Sequence, residues 1–477
     1  MEETIKIEST ELQQVITPDQ AWHYRIIPRL AEGNKYEFYI DENNFSESVK
    51  DELEMLLARQ VEFVMSPTET IQNNLSRYYR KNNQHAGKKT LSGTSEDFLT
   101  ALIYEAKMLG SSDIHIETYE DRCRIRLRID GRLIEKFVVR KNEYPSLINK
   151  IKIKANLDIA EKRLPQDGRI IFSEGDMKFD IRVSALPTLY GEKIVMRLLN
   201  KDAGNIDIAR LGFDKKQLND YLEGVKKPHG IILISGPTGS GKTTTLYATL
   251  KLLNKDFSNI LTIEDPIEYT LEGINQVQLK EDIGLTFARA LRTFLRQDPD
   301  IIMLGEIRDN ETAQMAIRAA LTGHLVLSTI HTNSAWGTIT RLADMDVPLH
   351  FITGTLNLSV AQRLIRKLCP MCREKKPLDE TQYPHHFKPY RKLENHYVSV
   401  GCEECHFTGY KGRKAVYEVI PIDYELSDAI RNQSSGVSAM LKSKNVSTLA
   451  GSAFESFALG ETSLEEIYPI LMNAYHE

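Results

Sequence analysis

The sequence predicts an α/β chain: a parallel sheet with crossover helices at its centre, an α+β domain before it, and a small cysteine-bearing module and a helical region after it. Three observations carry this. Four apolar runs of strand length, Ile231 to Ile234, Ile260 to Ile263, Ile301 to Leu304 and Leu325 to Ile330, alternate with helical patterns, as strands buried on both faces and joined by helices do. The segment Gly236 to Thr243 fits G-x-x-x-x-G-K-[ST] directly behind the first of these runs and directly ahead of a helical run, Thr244 to Leu253. Two C-x-x-C pairs, Cys369 with Cys372 and Cys402 with Cys405, follow, separated by 29 residues.

The chain has 477 residues, room for roughly three domains at ~150 residues each. Hydrophobic residues at 41% and charged residues at 27% are ordinary globular usage, so folded domains are expected throughout. The formal charge of -5 argues against a long polyanion as partner, and no nucleic acid is expected. Met1 to Glu11 has neither a cationic start nor an apolar core, and no stretch approaches ~18 uninterrupted apolar residues. A cytosolic chain is the expectation. Five cysteines are too few for a disulfide scaffold, and four of them are clustered, which points to metal or redox chemistry.

In chain order, residues 1–80 carry a short apolar patch, Tyr36 to Ile40, and a helix-like run, Val49 to Ala58, but no motif. Residues 81–95 are polar and read as a linker. From 96 to 200 a helical pattern, a short strand holding Ile114 and Ile116, and two strands joined at the turn pair Asp130-Gly131 define the α+β domain. In one strand Arg122, Arg124, Arg126 and Arg128 alternate with Cys123, Ile125, Leu127 and Ile129. A period of two puts the arginines on one face. That face is a solvated surface unless an anion meets it. Residues 205–368 are the parallel-sheet core, 369–412 the cysteine module and 413–477 the helical region.

The motif Gly236, Pro237, Thr238, Gly239, Ser240, Gly241, Lys242, Thr243 is built to cradle phosphates. Its glycines let backbone N–H groups turn inward, and the helix beginning beside Thr244 adds its positive dipole end. Lys242 is expected to reach the β- and γ-phosphates of ATP, and the Thr243 hydroxyl to ligate Mg²⁺. Hydrolysis needs a group to orient water. Glu264 and Asp265 after one strand, and Glu306 after another, are the carboxylates at the right sheet edge. His324 and His331 flank the fourth strand, and the strand-end place of His331 suits a γ-phosphate contact. The doubled C-x-x-C spacing brings four thiolates to one tetrahedral Zn²⁺, a closed and therefore structural site. His406, beside Cys405, leaves a mixed shell open.

Several segments together resemble the secretion ATPases that power type II secretion and type IV pilus assembly. Thr262 to Glu268 looks like the aspartate box of that family, Arg296 to Asp309 like its atypical Walker B, and Thr322 to Asn333 like its histidine box. Ser111 to Ile116 and Leu164 to Arg169 look like signatures of its second N-terminal domain. The resemblance implies a RecA-like P-loop core behind a PAS-like α+β domain, in a homo-hexamer with nucleotide held between the two domains. It implies Glu264 as catalytic base, Glu306 as support for Mg²⁺, His331 as γ-phosphate sensor, and Arg128, Arg169 and Arg182 as candidates to reach the phosphates. It further implies an inner-membrane platform protein as partner, an adaptor docked on residues 1–80, and recruitment to the inner face of the cytoplasmic membrane. The tetracysteine module is similar to that of the assembly and secretion members rather than the retraction members, and the 29-residue gap leans toward type II secretion. A hexameric nucleic-acid translocase or helicase and a non-hydrolysing docking protein are the rival classes.

Overall fold

The computed structural model describes residue 12 and residues 15–32, 35–57, 59–79, 89–90, 96–175, 177–199, 207–434 and 436–476. The first unit is a three-stranded sheet of β1 (Ile26–Glu32), β2 (Lys35–Asp41) and β3 (Gln60–Ser66), with β2 and β3 parallel. The helix Glu47–Leu57 makes the crossover that parallel neighbours require. Its own small core holds Ile26, Phe38, Ile40 and Leu53. Of the expected linker only residues 89–90 are described. They form β4 (Lys89–Thr90), and the rest of 81–95 lies outside the described residues.

The α+β domain packs the helices Glu96–Met108 and Tyr144–Lys154 on a sheet that includes β5 (Asp113–Thr118), β6 (Cys123–Ile129), β7 (Arg132–Val139), β8 (Gln166–Glu174), β9 (Met177–Thr188) and β10 (Gly191–Leu199). Its order is β4-β7-β6-β5-β10-β9-β8. The β6–β7 turn has Asp130 at φ 48° and Gly131 at φ 84°, the pair of positive φ values that matches a tight hairpin to strand twist. On β6 the side chains of Cys123, Ile125 and Leu127 are fully buried, with Arg124, Arg126 and Arg128 on the opposite face.

The core sheet contains β11 (Gly230–Ser235), β12 (Ile260–Glu264), β13 (Asn275–Gln278), β14 (Ile301–Leu304), β15 (Leu325–Ile330) and β16 (Leu356–Leu368). Beyond an insertion holding β17 (Glu374–Pro377) and β18 (Asn395–Val398), it is completed by β19 (Tyr410–Pro421). The order β13-β12-β14-β15-β11-β16-β19 is parallel except for the antiparallel pair β16–β19. Apolar clusters cover both faces. The structure draws the C-terminal boundaries differently from the sequence. The cysteine module is an insertion between the tips of two sheet strands, so the core runs on through β19, past residue 412. Leu426, Phe454, Phe457 and Ile467 of the C-terminal helices share one cluster with Ile302 and Ile365, so those helices are a layer of the core rather than a separate unit.

Candidate active site

The phosphate loop joins β11 to the helix Lys242–Leu253. Two glycines are required by what lies behind them. Gly236 has φ 149°, and a Cβ there would stand 2.5 Å from the Gln362 carbonyl oxygen. Gly241 has φ 88°, with Gln362 Nε2 2.9 Å from its would-be Cβ. Gln362, on β16, holds the loop. Its Nε2 donates to the Ser240 carbonyl at 2.8 Å, and its Oε1 accepts from Thr245 Oγ1 at 2.9 Å. Lys242 Nζ donates to the carbonyls of Gly236 at 2.8 Å and Pro237 at 3.1 Å. Burial pushes the Lys242 ammonium below the ordinary lysine range, against the opposing pull of Glu306, and Arg363 adds to the depression. Thr243 is exposed, Thr244 half-buried, and Ser240 Oγ is buried without a hydrogen-bond partner. Pro237, Thr238 and Gly239 form the exposed turn of the loop.

Glu264 ends β12 and is 3% exposed. Its Oε1 accepts from Thr262 Oγ1 at 2.6 Å and Gln276 Nε2 at 3.0 Å, and its Oε2 from the Tyr247 hydroxyl. Glu306 follows β14, the strand hydrogen-bonded to β12. It pairs with Arg308, which also lies 3.6 Å from Asp265, and His331 Nε2 stands 3.3 Å from its other oxygen. Burial alone would raise the Glu306 pKa. The hydrogen bond and charge of Arg308, joined by His331, outweigh burial and hold it below the carboxylate range. Gly305 lies where many P-loop enzymes carry an aspartate. A Cβ there would stand 3.3 Å from the Ile263 carbonyl oxygen and 3.4 Å from Glu264 Cα, so a side chain would press on the strand that carries Glu264. His324 does not join this group; its Nδ1 bonds the Ala319 carbonyl at 2.8 Å.

The three arginines singled out earlier take different partners, although Arg169 and Arg182 stand directly opposite each other on the β8–β9 ladder. Arg128 pairs with Asp113 at 3.2 Å and Arg169 with Asp180 at 2.5 Å, both within their own domain. Arg182 crosses to the core, donating to the Ile267 carbonyl with Glu268 3.6 Å away. The anion that meets the β6 arginine face is internal: Glu117 accepts from Arg124 at 3.0 Å and Arg126 at 2.8 Å. Tyr247, Gln276, Arg308 and Gln362 were missed by sequence reasoning. No motif marks Tyr247, Gln276 or Gln362, because each acts through a partner brought to it by the fold; Arg308 lies in the Walker B-like segment, two residues from its partner Glu306, and was not singled out within it.

The Sγ atoms of Cys369, Cys372, Cys402 and Cys405 lie within 4.8 Å of one another. The Cys369–Cys402, Cys372–Cys405 and Cys402–Cys405 separations are 3.9, 3.7 and 3.8 Å. Zn–S bonds of ~2.3 Å in a tetrahedron require sulfur separations of about 3.8 Å, so the four donors fit the ion. The backbone N–H groups of Gly401, Cys402 and Gly409 donate to these sulfurs at 3.2–3.3 Å, which favours thiolate. His406 is not among the clustered donors.

A glycine-curled phosphate loop, a lysine in its mouth and two carboxylates at adjoining strand ends define an ATPase of the P-loop class. Residues 88–469 match the family described as Type II/IV secretion system protein, and the chain belongs to that family. Among its relatives are the type II secretion system protein E of Pseudomonas aeruginosa, 49% identical over 71% of this chain and 67% of that one, and the type IV pilus assembly ATPase PilB of Myxococcus xanthus, 48% identical over 77% of this chain and 66% of that one. The type II secretion system ATPase E of Vibrio cholerae is 45% identical over 77% and 74%. The chain thus spans about two thirds to three quarters of the length of these relatives. The Legionella pneumophila ATPase DotB shares the fold, with TM-score 0.62 at 22% identity over 82% of this chain and 98% of that one. The pilus retraction motor PilT with bound ADP gives 0.55 at 26% identity over 80% and 98%. Among the described residues no helix is long and apolar enough to cross a membrane.

Proposed function

We propose that this chain works as a cytoplasmic homo-hexameric motor, recruited to the inner face of the cytoplasmic membrane, that hydrolyses ATP to drive assembly of a pilus or pseudopilus. The observation that carries the reading is the meeting of Lys242, Glu306 and His331 at one sheet edge beside Glu264. In this mechanism Lys242 leaves the loop carbonyls for the β- and γ-phosphates, while the loop's N–H groups hold the remaining phosphate oxygens. Glu264 orients and deprotonates the attacking water, and His331 senses the γ-phosphate beside Glu306. Thr243, with Glu306 in support, would hold Mg²⁺, which would neutralise phosphate charge. The four cysteines would hold Zn²⁺ as a structural ion.

Arginines of the α+β domain, with Arg128, Arg169 and Arg182 as candidates, complete the site from the same subunit or a neighbour and tie turnover to subunit arrangement. A membrane-embedded platform protein receives the motion, and the sheet unit of residues 1–80 docks an adaptor. Steady-state ATP hydrolysis across protein concentration tests this, with Lys242→Ala and Glu264→Gln alongside and with DNA or lipid-embedded platform protein added. The motor requires a specific rate that rises with concentration, collapses in both variants, responds to the platform and ignores DNA. A rate switched on by DNA would assign the chain to the translocases instead.

A further inference from the structure

His331 is exposed at the end of β15, yet the chain that carries it is anchored a few residues further on. Ala335 is fully buried, and both of its backbone polar groups are taken by side chains of the strand pair β16–β19. Its N–H donates to Glu418 Oε1 at 3.2 Å, and its carbonyl accepts from Ser359 Oγ at 2.6 Å. Ser359 and Glu418 lie on one face of that pair, because Ala361, two residues from Ser359, stands directly opposite Glu418. Between His331 and Ala335 the segment is tied again: Arg363 donates to the Asn333 carbonyl at 2.9 Å, and the Thr332 hydroxyl to the Ser334 carbonyl at 2.9 Å. Glu418 is 4% exposed. Its second oxygen accepts at 3.4 Å from the N–H of Leu449, the first residue of the helix Leu449–Ala458, whose positive end suits a buried carboxylate. That helix sends Phe454 and Phe457 into the core cluster. A neutral acceptor would meet these N–H groups without the desolvation cost of a buried charge. What the carboxylate adds is two strong acceptor oxygens on one rigid group, one for each element.

We propose that Glu418 is a positioning residue for His331, and that it couples the segment carrying His331 to the C-terminal helical layer. Ala335 is the fixed end of that segment, so the reach of His331 toward the γ-phosphate is measured from it. A side chain acts at a set distance only when the backbone behind it is held. When His331 follows the phosphate, the pull reaches Ala335 and, through Glu418, the first turn of the helix Leu449–Ala458. The state of the γ-phosphate is thereby felt in the C-terminal layer. This role rests on the reading of His331 as γ-phosphate sensor.

The experiment pairs saturation kinetics of ATP hydrolysis with hydrogen exchange on the full chain. The variants are Glu418→Gln, Ser359→Ala, His331→Ala, and Glu418→Gln combined with His331→Ala. Glu418→Gln keeps one acceptor and loses the other, and is expected to lower kcat about tenfold with KM for ATP within about twofold of wild type. Ser359→Ala, which frees the other backbone group of Ala335, is expected to behave in the same way and stands in should Glu418→Gln fail to fold. The double variant is expected to be no slower than His331→Ala alone, as when one group acts through the other. A non-hydrolysable ATP analogue is expected to change exchange at the amides of the helix Leu449–Ala458 in wild type, and to leave it unchanged in Glu418→Gln and His331→Ala. A wild-type kcat in Glu418→Gln and Ser359→Ala beside an impaired His331→Ala would overturn the positioning role, as would losses that multiply in the double variant. Exchange in that helix that ignores the analogue in wild type would overturn the coupling. A wild-type kcat in His331→Ala would instead remove the sensor assignment itself.

Discussion

The β6 arginines offer the sharpest separation of structure from catalysis, and Glu117→Gln is the perturbation that makes it. Glu117 is 5% exposed in its side chain and faces Arg124, Arg126 and Lys193 at 3.0, 2.8 and 3.2 Å. Burial would raise its pKa, but the hydrogen bonds from Arg126, Lys193 and Arg124 outweigh it and bring the value from 4.5 down to about 2. A carboxylate lowered in the folded state adds stability that is complete above its unfolded value and fades as pH falls through the folded one. The window here is therefore pH 4.5 down to about 2. At ~1.4 kcal/mol per pH unit the contribution at neutral pH is about 3 kcal/mol. Hydrogen exchange of the β5 and β6 amides reads it. The opening free energy of these strands is expected to fall by about that amount at pH 7 in Glu117→Gln, while KM for ATP stays unchanged. The wild type is expected to lose the same protection on acidification and the variant to lose less, by the share that Glu117 supplies. Unaltered protection with a strongly raised KM would refute the reasoning and put Arg124 and Arg126 at the nucleotide instead.

Two further substitutions test the core. Gly305→Ala places a methyl group 3.3 Å from the Ile263 carbonyl oxygen; overpacking of this kind costs about 1–3 kcal/mol. A lowered melting temperature together with a lowered kcat is expected, because the strand displaced is the one that ends in Glu264. Gln362→Leu removes the bonds to the Ser240 carbonyl and the Thr245 hydroxyl. KM for ATP is expected to rise about tenfold as the loop loses its support, measured against an unchanged melting temperature of the separate N-terminal unit.

The four strands read from the sequence were legible because each is buried on both faces and so is mostly apolar: β11, β12, β14 and β15 are buried at every residue. The strand β16 is also largely buried, yet it did not read as one. Its polar residues are spent on other backbones: Asn357 donates to the His229 carbonyl at 2.8 Å, Ser359 to the Ala335 carbonyl at 2.6 Å, and Gln362 to Ser240. A strand that satisfies its neighbours' loops loses the apolar run that would announce it. The cysteines were legible because thiol spacing is a local property. The fate of the β6 arginines was not, because the carboxylates that meet them arrive from β5 and β7 by register. The same holds for Tyr247, whose distance from Glu264 is set by how a helix lies on a sheet.

The cysteine module and the phosphate loop share two strands, which raises the question of how far metal loss is felt. Cys369 directly follows β16, the strand that carries Gln362. After Cys405 the chain enters β19, where the Tyr417 hydroxyl lies 3.2 Å from the Thr245 hydroxyl of the phosphate-loop helix. A continuous route therefore exists, but a clamp interrupts it. Arg366 pairs with Glu466 of the C-terminal helix, and its backbone N–H also donates to that carboxylate at 3.0 Å. Its guanidinium lies 3.9 Å over the Tyr410 ring, and it is only 17% exposed. Fraying that begins at the strand tips must break this pair before it reaches Gln362, and separating a mostly buried ion pair is costly. Chelation, or Cys372→Ser, is therefore expected to expose 369–409 to protease and release one metal ion per chain while KM for ATP stays within about twofold. Chelation of an Arg366→Ala variant is expected to raise KM as well, because the ion pair that ties the strand tip to the C-terminal helix is then gone. A KM that rises on chelating the wild type would mean that the strands transmit loss of the metal directly and that the clamp holds nothing back. Protease resistance unchanged by chelation would remove the structural zinc from the account altogether.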